Sequence, residues 1–235
     1  MCKDAALALA TQSSTKVYRA PPGVPPAQQV LRAGVARGAL LAVVPEPVQA
    51  FARARYRQVQ AFELEEGGSL ALVDWLSAGR PANGEAWAFD EYASSNTIRV
   101  GGALLVADNM HLRAGGALGV AERMGACRAC ATVVLLGPRC ARAAREALAA
   151  TTELSRALLA ATPASAVLSE GAGGGAAPSA PPLPPAVKFS ASASELPGGV
   201  GVAVRVAGER LDDVAGFIRA LLMPLEEELG RAPYS

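Results

Sequence analysis

Three carboxylates stand where strand alternation gives them apolar neighbours. Asp74 shares parity with Leu70 and Leu72, and Glu85 and Glu91 share parity with Trp87 and Phe89. A carboxylate on an apolar face is costly unless it is paired, hydrated or ligated. Oxygen ligands suit hard and borderline cations, so these residues fit the lining of a hydrated passage for a metal ion. The other reading places them at strand ends, paired with Arg80 or Arg99, as ordinary surface ion pairs. A second set is Cys127-x-x-Cys130 with Cys140. Structural zinc takes four Cys or His ligands, and three cysteines with the one distant histidine, His111, leave that set incomplete. They fit a small metal-binding or redox module, or else plain thiols beside a strand. His111 follows Asn109-Met110 and reads equally as a strand-capping residue.

What the sequence lacks narrows the chemistry further. One histidine cannot build a multi-histidine metal site. There is no Gly-x-x-x-x-Gly-Lys-Ser/Thr run for nucleotide phosphates and no Gly-x-Ser-x-Gly nucleophile elbow. A β-helical enzyme using Asp74 with Glu85 or Glu91 has no accompanying nucleophile or histidine constellation.

The elements that must hold these residues read as short strands in the first half. Leu7, Leu9, Thr11, Ser13 and Thr15 share one parity. Ala39–Val44, Tyr56–Glu65, Ser69–Trp75 and Ala86–Tyr92 follow as strands, and Thr97–Val100, Gly101-Gly102 and Ala103–Ala107 carry a hairpin signal. The second half has a strand at Thr132–Leu136 and a helix over 141–161. A Gly/Pro/Ala/Ser-rich stretch at 163–186 reads as a flexible insertion. Val200–Val206 returns to strand, and Leu211, Val214, Ile218, Leu221, Leu222, Leu225 and Leu229 form a helical stripe. Pro224 should break that stripe, and Gly230 suits its C-cap. The stripe either packs on its own domain or presents a face to a partner.

Composition sets the outer limits. The 235 residues are 51% hydrophobic, 5% aromatic and 18% charged, which excludes global disorder. Lys+Arg 22 against Asp+Glu 21 leaves +1, so no long-range field favours nucleic acid or an anionic membrane. No apolar run approaches the roughly 18 to 20 residues of a membrane helix. Four cysteines in this length are no disulfide scaffold and fit a reducing, cytoplasmic setting.

In order along the chain come Thr11-Gln-Ser-Ser-Thr-Lys-Val-Tyr-Arg19, Pro45-Glu-Pro47, Arg55-Tyr-Arg-Gln58, Asp74-Trp-Leu-Ser-Ala-Gly-Arg80, and Gly84-Glu-Ala-Trp87 with Phe89. Gly199–Arg205 and Leu229-Gly-Arg-Ala-Pro-Tyr234 follow. This series resembles the UreD family of urease accessory proteins, called UreH in some bacteria, in a plant-type form. The resemblance covers nearly the whole chain as one domain, 1–235, apart from 163–186. It implies a mainly β fold of elongated, β-helix-like stacked sheets with a few helices toward the C-terminus. It implies no enzyme and no tightly bound cofactor, but a scaffold that binds apo-urease and a UreF-type protein, which recruits a UreG-type GTPase carrying Ni²⁺. The ion in transit would meet Asp74, Glu85 and Glu91, with Thr11 and Ser13 as polar lining. The helical segment 209–230 and the tail, through Leu221, Leu225 and Tyr234, would face the UreF-type partner. Family members carry a further β segment before the Thr11-Gln12 strand, so the resemblance implies an N-terminally truncated chain, with an inactive truncated member as the alternative reading.

Overall fold

The computed structural model describes residues 4–21, 23–161 and 189–234. The insertion expected at 163–186 lies outside the described residues.

The chain first climbs in three stacked turns. The first holds β1 (Ala6–Ala10), β2 (Thr15–Val17) and β3 (Ala27–Val35), and the second β4 (Leu40–Val44), β5 (Val48–Ala50) and β6 (Arg55–Leu64). The third holds β7 (Ser69–Ser77), a short hairpin of β8 (Gly79–Arg80) and β9 (Glu85–Ala86), and β10 (Glu91–Val100). Each strand lies parallel to its counterpart one turn on. Ala6 faces Leu40 and Leu40 faces Ser69; Thr15 faces Val48 and Val48 faces Leu76; Ala27 faces Tyr56 and Tyr56 faces Tyr92. β1 and β3 end their sheets on the first turn, with Leu7, Leu9 and Val30 exposed.

The rest of the chain closes this stack with antiparallel pairs. β11 (Ala103–Arg113) folds back on β10 through Gly101 and Gly102, whose φ of 56° and 83° fit the two-residue turn that matches strand twist. After α1 (Val120–Met124), β12 (Ala129–Leu136) runs antiparallel to β7. α2 (Ala141–Ala161), β13 (Phe189–Glu195), β14 (Gly201–Gly208), α3 (Leu211–Leu222) and α4 (Glu226–Leu229) follow. The larger sheet has the order β1-β4-β7-β12-β14-β13, and the smaller one β11-β10-β6-β3.

Alternation sends each strand of the larger sheet into two different cores. Ala71, Val73 and Trp75 of β7 join Val133, Val204 and the buried face of α2 and α3. Leu70 and Leu72 point the other way, onto Phe62 and Ile98 of the smaller sheet. A third cluster, with Leu76, Tyr56, Tyr92, Trp87 and Phe89, fills the other end of the same inter-sheet space.

Two expectations need correction. The strand expected over Ala86–Tyr92 is broken: β9 ends at Ala86, Trp87 takes φ 57°, and β10 starts at Glu91. Trp87 and Phe89 are both buried by this excursion, not by alternation, so their parity with Glu85 and Glu91 places neither glutamate inside. The C-terminal stripe breaks at Met223–Leu225, as Pro224 requires, and Gly230 caps it with φ 72°. Its apolar side packs on β12 and β14, with Leu221 and Leu225 buried beside Val214, Ile218 and Leu222. Both leucine side chains are thus taken up by the chain's own core, and Tyr234 donates its hydroxyl to the Pro45 carbonyl oxygen at 3.2 Å.

Leu221→Asp and Leu225→Asp are therefore expected to lower global stability by several kcal/mol, because each buries an unpaired carboxylate. Urea denaturation followed by circular dichroism measures this. Wild-type stability in both variants would contradict the packing described.

Candidate functional site

Between the two inter-sheet apolar clusters, the inward alternation turns polar on several neighbouring strands. β6 reads Tyr56, Gln58, Gln60, Phe62 along its inner face, and β10 reads Tyr92, Ser94, Asn96, Ile98. On the facing sheet, β7 reads Leu72, Asp74, Leu76, and β12 reads Cys130, Thr132, Val134. Register then aligns these positions into rows. Asp74 pairs with Thr132, Thr132 with Arg205, and Arg205 with Ser192 across the larger sheet. Gln60 pairs with Asn96, and Asn96 with Asp108, across the smaller one. The outcome is a polar seam running crosswise through an otherwise apolar sandwich.

Asp74 is its centre. Its Oδ1 accepts from Gln58 Nε2 at 3.0 Å, and its Oδ2 from Ser94 Oγ at 2.6 Å and Asn96 Nδ2 at 2.7 Å. The second ring of bonds orients the amides. Gln60 Nε2 donates to Asn96 Oδ1 at 3.0 Å, which turns the Asn96 NH₂ toward Asp74. The Tyr56 hydroxyl lies 2.9 Å from Gln29 Oε1 and 3.2 Å from Gln58 Oε1, so it can donate to either. Burial, with the Asp74 carboxylate close by, pushes the Tyr56 hydroxyl up to about 12 and holds it as a donor. No buried side-chain nitrogen or oxygen among the described residues lacks a partner. Asp74, half-buried at the edge of a cavity, thus meets only neutral donors among the described residues, where a sheltered structural carboxylate would normally be met by a cation.

The seam opens toward a cavity on each side. One, of about 150 Å³, is lined by Thr11, Thr15, Gln58, Gln60, Glu46 and Asp74 among others. The other, of about 290 Å³, is lined by Cys130, Thr132, Ser190, Ser192 and Arg205 among others. Thr11 reaches the first cavity because β1 ends at Ala10 and the chain bends there, and its Oγ1 accepts from the Glu46 backbone N–H at 2.8 Å. Ser13 sits in that bend, exposed, and lines neither cavity.

Glu85 and Glu91 lie outside the seam. Glu85 forms a forked pair with Arg80, Nη2 to Oε1 at 2.7 Å and Nε to Oε2 at 3.0 Å, and also accepts from the Ala52 N–H. The Arg80 bonds hold its carboxyl below the usual range. Glu91 occupies the outer face of β10, paired with Arg57 and His111 at 3.2 Å each. Burial opposes its ionisation, and these two partners outweigh that effect to leave its carboxyl lowered. The anticipated Arg80 counter-charge thus serves Glu85 and not Asp74.

The Asp74-to-Trp87 string is mostly scaffold. Trp75 Nε1 donates to the Pro45 carbonyl oxygen and Trp87 Nε1 to that of Cys127, both at 2.8 Å. Gly79 holds φ 86°, and a Cβ there would lie 2.8 Å from the carbonyl oxygens of both Ala50 and Glu85. The cysteines do not converge. Cys140 is buried in the helix-side core, Cys130 borders the inter-sheet aromatic cluster, and Cys127 Sγ donates to the Ala129 carbonyl oxygen. Burial pushes the Cys130 and Cys140 thiols up to about 12, so neither is a thiolate. Among the described residues no three His, Cys, Asp or Glu side chains come together as a metal-holding group.

Two substitutions test this geometry. Asp74→Ala leaves three sheltered donors without an acceptor and is expected to cost about 3 kcal/mol or more, whereas Asp74→Asn keeps the side-chain shape and costs less. Gly79→Ala is expected to cost about 1–3 kcal/mol from backbone strain, plus the clash with two carbonyls. Chemical denaturation measures both. An Asp74→Ala variant as stable as wild type would mean that water already satisfies those donors.

The chain matches the UreD urease accessory protein family over residues 1–235. It is similar to the urease accessory protein UreD of Sorangium cellulosum, 43% identical over 99% of this chain and 64% of that protein. It is similar to that of Anaeromyxobacter, 47% identical over 60% of this chain and 46% of that protein. Urease accessory protein D of Arabidopsis thaliana is 36% identical over 97% of this chain and 76% of its own length. The chain therefore spans about two thirds or less of the two bacterial relatives. The match runs from end to end and takes in the strands that carry the polar seam, and the chain belongs to the UreD family of urease accessory proteins.

Proposed function

We propose that this chain is a non-enzymatic scaffold in urease maturation and that Ni²⁺, its cargo, crosses it along the Asp74 seam. The observation that carries the reading is a carboxylate inside an apolar sandwich, held by neutral amide and hydroxyl donors, with a cavity at either end of its row. Oxygen donors bind nickel more loosely than thiolates or several imidazoles, and a conduit must release what it binds. The same amides that donate to Asp74 can turn and present their oxygens to a cation. Thr11 adds a polar group at one mouth. Glu85 and Glu91, engaged in ion pairs elsewhere, serve the scaffold in this reading. Apo-urease, a UreF-type protein and a UreG-type GTPase are the proposed partners, and a cytoplasmic location is proposed with them. No helix among the described residues is long and apolar enough to cross a membrane.

The test is a reconstituted maturation system containing apo-urease, the partner proteins and Ni²⁺. Asp74→Asn is expected to enter the complex normally in a pull-down and to lower the nickel content of the urease several-fold. Glu91→Gln is expected to deliver as wild type. Full nickel delivery by an assembled Asp74→Asn complex would overturn the seam as the route. Failure of the wild-type chain to support activation with all partners present would overturn the accessory role for this chain.

A further inference from the structure

Beyond Asp74, the row carries one more sheltered carboxylate, and it is handled differently. Asp108 faces inward from β11 opposite Asn96, whose amide donates to Asp74. Its Oδ1 lies 2.6 Å from Arg205 Nη2. The two partners differ sharply in setting: the Asp108 side chain is 13% exposed and the Arg205 side chain 67%. Arg205 belongs to the same ladder row as Thr132 and Asp74, and lines the 290 Å³ cavity at this end of the seam. Where Asp74 receives only neutral donors among the described residues, Asp108 receives a full positive charge from an arm that lies largely in water.

We propose that the Arg205–Asp108 pair is a counter-ion gate at this mouth of the seam. The inference rests on the reading of the seam as a cation passage. In the closed state the guanidinium occupies the place that a cation would take on the Asp108 carboxylate. The pair is charge-assisted and short, so it is firm enough to hold a mobile arm in place. A divalent ion arriving from Asp74 meets both an occupied carboxylate and a positive charge. Because the arm is solvated, it swings off without disturbing the core, and Asp108 is then free to draw the ion outward. Return of the arm displaces the ion from the carboxylate, which keeps residence short. The device needs a cation that is exposed, mobile and permanently charged, and arginine supplies all three. A pair whose task was only to tie β11 to β14 would need none of this, and the two readings separate experimentally.

The experiment measures Ni²⁺ retained by the purified chain in equilibrium dialysis, alongside thermal melting. Arg205→Gln removes the competing charge at an exposed position, and retained Ni²⁺ is expected to tighten by about tenfold, the order expected for losing one nearby like charge. Arg205→Lys keeps the charge and is expected to bind as wild type. Adding Asp108→Asn to Arg205→Gln is expected to abolish the gain. Unchanged Ni²⁺ retention in Arg205→Gln overturns the gate, whether or not its melting temperature falls. If Asp74→Asn nonetheless weakens retention in the same assay, the seam stands without the gate. If neither variant alters retention, both readings fall together.

Discussion

The inner face of this sandwich depends on holding one half-buried carboxylate with neutral donors. Asp74 sits between two apolar clusters, and three donors from two neighbouring strands of the opposite sheet converge on it. That requirement fixes the register of β6 and β10 relative to β7, because a slip of one residue would replace Gln58, Ser94 and Asn96 with outward-facing side chains. It also fixes the spacing of the sheets, since amide and hydroxyl arms must reach across at hydrogen-bond distance. The apolar clusters on either side shelter the Gln58, Ser94 and Asn96 donors, while Asp74 itself stays open to the 150 Å³ cavity.

The scaffold around the seam shows a division of labour among charges. Arg80 and Glu85 lock the hairpin that follows β7, with the Arg80 guanidinium also stacked 4.3 Å over the Phe51 ring. Arg139 ties the start of α2 to Glu228 near the C-terminus. These pairs lie at element ends and hold elements together. Asp74 and Asp108 lie inside the strand rows and face the seam. The same residue types therefore do two kinds of work, decided by position along the strand and not by sequence neighbourhood.

Much of this was legible in the residues. Strand parity put Asp74 on the face of Leu70 and Leu72, and that face is the inter-sheet one. The Gly101-Gly102 hairpin, the helix at 141–161 and the break at Pro224 all appear where their local chemistry requires them. What failed was parity carried across a turn. Glu85 and Glu91 look equivalent when 85–92 is taken as one strand, but Trp87 at φ 57° resets the alternation. Ser13 was lost in the same way at the bend after β1. The helical stripe at 211–229 was visible, yet its partner is β12 and β14 of the same chain, which a one-dimensional pattern cannot show. Gln58, Gln60, Ser94 and Asn96 were overlooked as site residues, although the repeat of aromatic, polar, polar, apolar at alternate positions in β6 and β10 was there to be read. Asp108 and Arg205 carry no such signature, because only register across separate sheets brings them together.

The three stacked turns also shape how the chain must fold. Ala6 meets Leu40, and Tyr56 meets Tyr92, so every parallel ladder joins residues about one full turn of chain apart. Each such pairing requires a long loop to close before any bond rewards it, and topologies of this kind fold slowly. The antiparallel hairpin at Gly101-Gly102 is the local exception and a natural early contact, with β10 as the strand on which β6 and then β3 can dock. Assembly of the smaller sheet would then run backwards along the sequence, from β10 toward the first turn. The strands synthesised first would be the last to find their place, and they would spend the longest time with their edges bare.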